Sequence, residues 1–264
     1  MSVLTLQKVC AGYRGHPVLT NIDLTIEAGE ICMLLGENGC GKTTLLRTIQ
    51  GSVPMTTGQI WINGIDLADT TIKKRARLVT TMTQTEPPIE GVTGMDRIEM
   101  GFYPTKGLFG KLDTAEREHI HILAKQFAIE PLLQRDLAAM SAGERQMIAL
   151  LRAAVQDTPV LLLDEPASAL DFNHTEILFA ILTKMAKQGK AILMVLHDPT
   201  RALRQGDRVL YMTKESQNNG HRQLQEIPNP RKYAEAEHHL QQLYPGLRIH
   251  GETGFCYLET ENTL

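Results

Sequence analysis

The chain has 264 residues, 42% of them hydrophobic and 22% charged, with a formal net charge of −3. That length buries a substantial core, and that balance excludes a disordered chain. The slight acidity points away from a nucleic-acid partner. No apolar run approaches the roughly 18 to 20 residues needed to cross a bilayer. The N-terminus, with Lys8 as its first charged side chain, lacks the basic-then-apolar order of a signal peptide. Cys10, Cys32, Cys40 and Cys256 show no CxxC pairing and read as reduced thiols of a cytoplasmic protein.

In chain order, residues 3–9 alternate in the manner of a strand, and residues 23–26 continue it before the turn at Ala28-Gly29. Residues 31–35 form a short apolar run bounded by glycine, which predicts a strand buried on both faces. A glycine-rich loop follows, then a helix over 42–50 with Gly51 past its end. Strands are predicted at 59–62 and 77–82. Between about 87 and 155 strand signals vanish, and 115–129 and 142–156 carry helical periodicity. Buried strands return at 160–163 and 191–196, separated by a helix over 174–188 that Gly189 closes. This alternation predicts a mostly parallel α/β sheet with an inserted helical lobe. The boundaries read 1–86 and 156–216 for the core, 87–155 for the lobe, and 217–264 for a polar tail expected to be a small appendage.

Gly36-Glu37-Asn38-Gly39-Cys40-Gly41-Lys42-Thr43 matches the phosphate-binding pattern GxxxxGK[ST], between a predicted strand and a predicted helix. Glycines let the backbone curl so that N–H groups point at phosphate oxygens, and the helix N-terminus adds a favourable dipole. In such a loop Lys42 neutralises the β- and γ-phosphates and Thr43 offers a hydroxyl to Mg²⁺. Val160-Leu161-Leu162-Leu163-Asp164-Glu165 is an apolar strand ending in two carboxylates. Beside a phosphate loop Asp164 holds Mg²⁺ and Glu165 polarises the attacking water, whereas alone the pair would be solvated loop acids.

Further motifs follow in a fixed order. Ser141-Ala142-Gly143-Glu144-Arg145-Gln146, read from Met140, resembles the signature of ABC ATPases, usually written LSGGQ. Ser168-Ala169-Leu170-Asp171 resembles that family's D-loop, His197 its switch histidine, Gln84 its Q-loop glutamine, and Tyr13 its adenine-stacking aromatic. Singly each has a bland reading: a helix N-cap for the serine, a satisfied histidine, a surface amide, a packing aromatic. Together, over roughly 1–215, they identify the chain as resembling ABC ATPases. The signature departs at Met140 and Ala142. Methionine for leucine conserves volume, while alanine for glycine weakens a closed dimer if its φ is positive.

The resemblance implies a P-loop NTPase core with an N-terminal antiparallel β subdomain and an inserted helical subdomain. It implies ATP and Mg²⁺ as ligands. Nucleotide contacts fall on Tyr13, Gly36, Asn38, Gly39, Cys40, Gly41, Lys42, Thr43 and Thr44, with Ser141, Gly143, Glu144 and Asp171. Catalytic roles fall on Lys42, Gln84, Glu165 and His197, and metal contacts on Thr43, Gln84 and Asp164. Two copies pack head to tail, so that each ATP lies between Lys42 of one and Ser141 of the other. Two membrane permease subunits and an external or periplasmic solute-binding protein complete the system, with this chain on the inner face of the membrane.

Asp96-Arg97-Ile98-Glu99-Met100-Gly101-Phe102-Tyr103-Pro104, and the stretch from His197-Asp198-Pro199 to Asp207-Arg208-Val209, resemble ATPases of iron-siderophore, haem and vitamin B12 importers. The alternative is the ATPase of another importer, or of an exporter with a separate permease. The apolar Pro87, Pro88, Ile89, Met95 and Met100 within about 85–103 suggest a groove for a permease helix, against the alternative that they pack inside the lobe. His221, His238, His239 and His250 read as solvated surface residues, since adjacent histidines on a helix diverge by about 100°.

Overall fold

A computed structural model describes residues 1–14, 16–84, 87–107, 110–213 and 224–259. In chain order the strands and helices are β1 (Ser2–Tyr13), β2 (His16–Glu27), β3 (Ile31–Gly36), α1 (Lys42–Gln50), β4 (Met55–Ile62), β5 (Ile65–Asp66), α2 (Ile72–Arg75) and β6 (Val79–Met82). Next come α3 (Gly94–Glu99), α4 (Tyr103–Lys106), α5 (Thr114–Gln126), α6 (Ala142–Val155), β7 (Val160–Asp164), α7 (Phe172–Lys187) and β8 (Ala191–Val195). The chain closes with α8 (Pro199–Gln205), β9 (Arg208–Met212), β10 (Leu224–Ile227), α9 (Tyr233–Leu240), β11 (Leu247–Ile249) and β12 (Cys256–Leu258).

Among the described residues, β2-β1-β4-β5 form an antiparallel sheet, and β10-β9-β3-β8-β7-β6 form a second sheet. In the second sheet every neighbouring pair is parallel except β9 with β10. Its central strands β3, β8 and β7 are buried at every position because both faces are covered, and they are apolar up to Gly36 and Asp164 at the ends of β3 and β7. Alternate residues divide between two cores. Cys32, Leu34, Leu162, Leu193 and Val195 pack with α1 and the antiparallel sheet, whereas Met33, Leu35, Leu161, Leu163, Ile192 and Met194 face the helices of the other layer. This period of two explains why the runs at 31–35, 160–163 and 191–195 are hydrophobic on both faces.

The insert contributes α3, α5 and α6. Ile98, Ile120, Ala124, Phe127, Met147, Ile148 and Leu151 are 0 to 1% exposed there, and the cluster runs on into the core's helical face. Lobe and sheet therefore share one packed interior.

The tail differs from the polar appendage expected. β10 pairs antiparallel with β9, placing Leu224 opposite Met212 and Ile227 opposite Val209. Ile227, Ala236, Leu240, Leu243, Leu247 and Ile249 join the larger core. The backbone N–H of Cys256 donates to Thr200 Oγ1 at 3.0 Å, tying β12 to the start of α8. The tail's charged residues had masked a sparse apolar set that only docking makes visible. Its expected start at 217 lies outside the described residues, as does His221. His238 and His239 stand edge-on with ring centroids 6.0 Å apart, and His239 Nδ1 lies 3.2 Å from the Tyr211 hydroxyl. Among the described residues no group of three His, Cys, Asp or Glu is placed to hold a metal ion.

Candidate active site

The loop after β3 curls through left-handed backbone at Gly36 (φ 151°), Gly39 (φ 81°) and Gly41 (φ 113°). A side chain at Gly36 would also meet the Met212 carbonyl oxygen at 2.6 Å, so conformation and space both demand glycine there. α1 starts directly after Gly41 with no capping side chain, which leaves its first N–H groups for an anion. Lys42 is 6% exposed, and its ammonium donates to the carbonyls of Gly36 at 2.6 Å and Glu37 at 3.0 Å, holding it over the loop interior. Asn38, Gly39, Gly41, Lys42, Thr43 and Thr44 line one cavity of about 420 Å³ together with Val18, Gln84 and Glu165. Cys40 is buried, its thiol against Gly36 and its N–H donated back to the Glu37 carbonyl, so it braces the loop from behind.

The carboxylates arrive on β7. Thr43 Oγ1 donates to Asp164 Oδ2 at 2.9 Å. Burial pushes the Asp164 carboxyl above its ordinary range, with the Thr43 bond working the other way. A hydroxyl and a desolvated carboxylate side by side are hard oxygen donors of the kind Mg²⁺ takes, and a cation there would favour the ionised acid. Glu165 is in the left-handed region (φ 52°), an uncommon state for a residue with a side chain. Its carboxylate is held from both sides: Gln84 Nε2 donates to Oε2 at 2.7 Å, and His197 Nε2 lies 2.5 Å from Oε1. Three residues far apart in the chain thus converge, Gln84 and Glu165 lining the cavity and His197 bonded to Glu165.

Ser141 is the N-cap of α6 in a closed capping box. Its Oγ accepts from Glu144 N at 3.1 Å while Glu144 Oε2 accepts from Ser141 N at 2.7 Å. Glu144 also pairs with Arg135 at 2.7 Å, and the Ser141 N–H is the main cause that holds its carboxyl below the usual range. Glu144 is thus engaged within its own chain by the helix cap and by Arg135. Ala142 opens α6 without positive φ, which removes the strain its methyl would otherwise cause. Gly143 is needed for close approach: a Cβ there would stand 2.7 Å from the Ala169 carbonyl oxygen. Asp171 caps α7, accepting from His174 N at 2.8 Å, and that bond lowers its pKa. Tyr13, at the end of β1 and 43% exposed, is not among the residues lining the phosphate cavity, whereas Val18 is. Gln146 stands in the signature stretch but has no role from the motif. It is buried, with polar contacts to the loop after β7, and only its place on the inner face of α6 could have singled it out.

A family model described as ABC transporter matches residues 19–168. The chain belongs to the ABC transporter ATPase family. This ABC ATPase is 30% identical over 211 residues to the achromobactin transport ATP-binding protein of Dickeya dadantii, covering 80% of this chain and 78% of that one. It is 31% identical over 205 residues to the iron(3+)-hydroxamate import ATP-binding protein of Bacillus subtilis, covering 77% and 76%. A thiamine import ATP-binding protein of Shigella flexneri is 37% identical over 190 residues, covering 72% and 79%. Among solved structures, a dimeric ATP-binding cassette in a post-hydrolysis state with ADP and phosphate is 26% identical, covers 81% of this chain and 97% of that one, and superposes with a TM-score of 0.69. The chain is thus an ATP-binding, ATP-hydrolysing subunit of an ABC transporter. No described helix is long and apolar enough to cross a membrane.

Proposed function

We propose that this subunit drives uptake of a metal chelate of the iron-siderophore, haem or cobalamin kind, with Glu165 as the base of ATP hydrolysis. The observation that carries the catalytic part is the Glu165 carboxylate, which lines the phosphate-loop cavity with Gln84 and is clasped by Gln84 and His197. Lys42, Asn38 and the glycines bind the phosphates. Thr43 and Asp164 would hold Mg²⁺, with Gln84 bordering it, and the cation would neutralise charge on the β- and γ-phosphates. Glu165 takes a proton from the attacking water as its oxygen bonds to the γ-phosphorus and the bond to the β-phosphate oxygen breaks, leaving ADP and phosphate. His197 orients that carboxylate and, with its ring beside the γ-phosphate, adds a donor for the developing charge.

The signature belongs to a second copy's nucleotide. Ser141 and the start of α6 are exposed, so a head-to-tail dimer would close Ser141 and Gly143 over the ATP bound by the partner copy. Asp171 and the neighbouring Phe172, 71% exposed, would lie along the same contact. Tyr13 would meet the adenine from the end of β1. Residues 1–86 and 156–216 serve as the nucleotide-binding core, 87–155 as the signature lobe, and 217–264 as a tail braced on the core.

The permease would dock in a groove between core and lobe of about 610 Å³, lined by Ile72, Val79, Met100, Tyr103 and Pro104 among others. Met95, 8% exposed, packs inside the lobe beside the fully buried Ile98, whereas Met100 and Tyr103 reach the groove and Ile89 is exposed. Positions 85 and 86 of the segment lie outside the described residues. Glutamate at Ile72, which is 91% exposed, or at Tyr103 should cut transport about tenfold or more, with basal hydrolysis within twofold of wild type. Unimpaired transport in both variants would exclude the groove as the docking site.

The chelate assignment is supported by the 96–104 and 197–209 segments and by the achromobactin and hydroxamate relatives. A membrane-embedded pair of permease subunits, the place of this chain on the inner membrane face and an external or periplasmic solute-binding protein follow from that importer type. Uptake of labelled ferric siderophore, haem, cobalamin and thiamine by a strain lacking this subunit tests it. Loss confined to thiamine, or to none of them, would overturn the chelate reading.

A further inference from the structure

Gln146 is 4% exposed, on the inner face of α6, five residues past Ser141. Its Nε2 donates to the Glu165 carbonyl oxygen at 3.1 Å, and its Oε1 accepts from the Ala169 N–H at 3.3 Å. The two partners, a carbonyl and an N–H, settle which end of the amide is which. One side chain of the signature helix thus grips both ends of the turn that follows β7.

That turn carries the acid under strain. Glu165 is left-handed at φ 52°, a state that persists only where the surroundings over-determine it. Its backbone is pinned by the N–H donated to Val195 O at 3.2 Å and by a carbonyl that accepts from Ser168 N at 3.2 Å as well as from Gln146. Of these pins, Gln146 alone comes from the lobe. Gly143 lies one turn earlier on the same helix, against Ala169, so the helix and the turn meet along a continuous contact.

We propose that Gln146 is the positioning residue of Glu165: it fixes the acid's backbone to the signature helix, so that a movement of α6 moves the carboxylate. The proposal rests on Glu165 being the base. Because Ser141 at the head of α6 would face the partner's nucleotide, Gln146 also makes each acid's placement answer to the ATP bound in the other site.

Gln146→Leu keeps the volume and loses both bonds. It should lower kcat about tenfold or more while the KM for ATP stays within twofold, because binding groups on β3 and α1 are untouched. The decisive readout is a double-mutant cycle. In single-turnover hydrolysis, Gln146→Leu should slow the wild type yet change nothing further in a Glu165→Gln background. Gln146→Glu carries the test if the leucine variant folds poorly. A buried glutamic acid donates to the Glu165 carbonyl only when protonated, and burial raises its pKa. Its rate relative to wild type should therefore rise between about pH 8 and about pH 6. Wild-type kcat in Gln146→Leu, losses that multiply with Glu165→Gln, or a flat pH ratio in Gln146→Glu would each overturn the proposal. Wild-type hydrolysis by Glu165→Gln alone would instead remove the base itself, and the proposal with it.

Discussion

Glu165→Gln should lower steady-state ATP turnover about a thousandfold, within the range expected for losing a general base, while ATP still binds. The amide keeps the size of the acid and can still accept from Gln84 Nε2 and meet His197 Nε2, so the clasp around position 165 survives. What disappears is the negative charge that draws a proton from water. With binding intact and hydrolysis blocked, the nucleotide-bound head-to-tail dimer has no route to open. Size-exclusion chromatography with ATP and Mg²⁺ should show it as a dimer, and ADP should leave it monomeric. Hydrolysis at the wild-type rate would remove Glu165 from the base role, and a monomer in saturating ATP would argue against the head-to-tail arrangement.

Lys42→Ala should act at an earlier step and weaken ATP binding by roughly ten- to a hundredfold, the size of a lost charge-assisted hydrogen bond. The ammonium is 6% exposed and held at 2.6 Å and 3.0 Å by two loop carbonyls, so it is preorganised for phosphate instead of reaching in from solvent. Alanine removes the charge and also strips the Gly36 and Glu37 carbonyls of their donor, loosening the curl of the loop. Titration calorimetry on the variant should show the weakened affinity, and a melting curve without nucleotide should still show one cooperative transition of a folded chain. Affinity within twofold of wild type would take Lys42 out of the phosphate site.

The two variants separate binding from chemistry because they change groups on different connections of the sheet. Lys42 follows β3 and Glu165 follows β7, with β8 hydrogen-bonded between them. The parallel order places both loops at the same end of the sheet, where ligands of open α/β sheets bind.

Local grammar determined a large part of this protein without help from the fold. The phosphate loop was legible because its glycines, Lys42 and Thr43 are contiguous, and left-handed backbone at Gly36, Gly39 and Gly41 is a local demand. The fully apolar runs at 31–35, 160–163 and 191–196 announced strands covered on both sides, and α1 appears over Lys42–Gln50 as its periodicity and Gly51 foretold. Ser141 and Glu144 spell a capping box three residues apart, which is again a local signal. Other features needed the tertiary structure because they depend on what meets across long chain separations. Nothing local tells that Met95 turns inward while Tyr103 reaches the groove, since both lie in one apolar stretch and only the packing of α3 against α6 sorts them. The tail looked polar because its buried residues are spaced through charged ones, and their purpose appears once β10 adds to the sheet edge. Gln146 is the plainest case. A glutamine in a helix carries no signal by itself, and its bonds to Glu165 and Ala169 exist only because the lobe folds back on the loop after β7. Backbone conformation and capping are decided among neighbours in sequence, whereas the clasp on Glu165 is decided by the parallel sheet that brings residues 84, 165 and 197 together and by α6, which carries residue 146 to them.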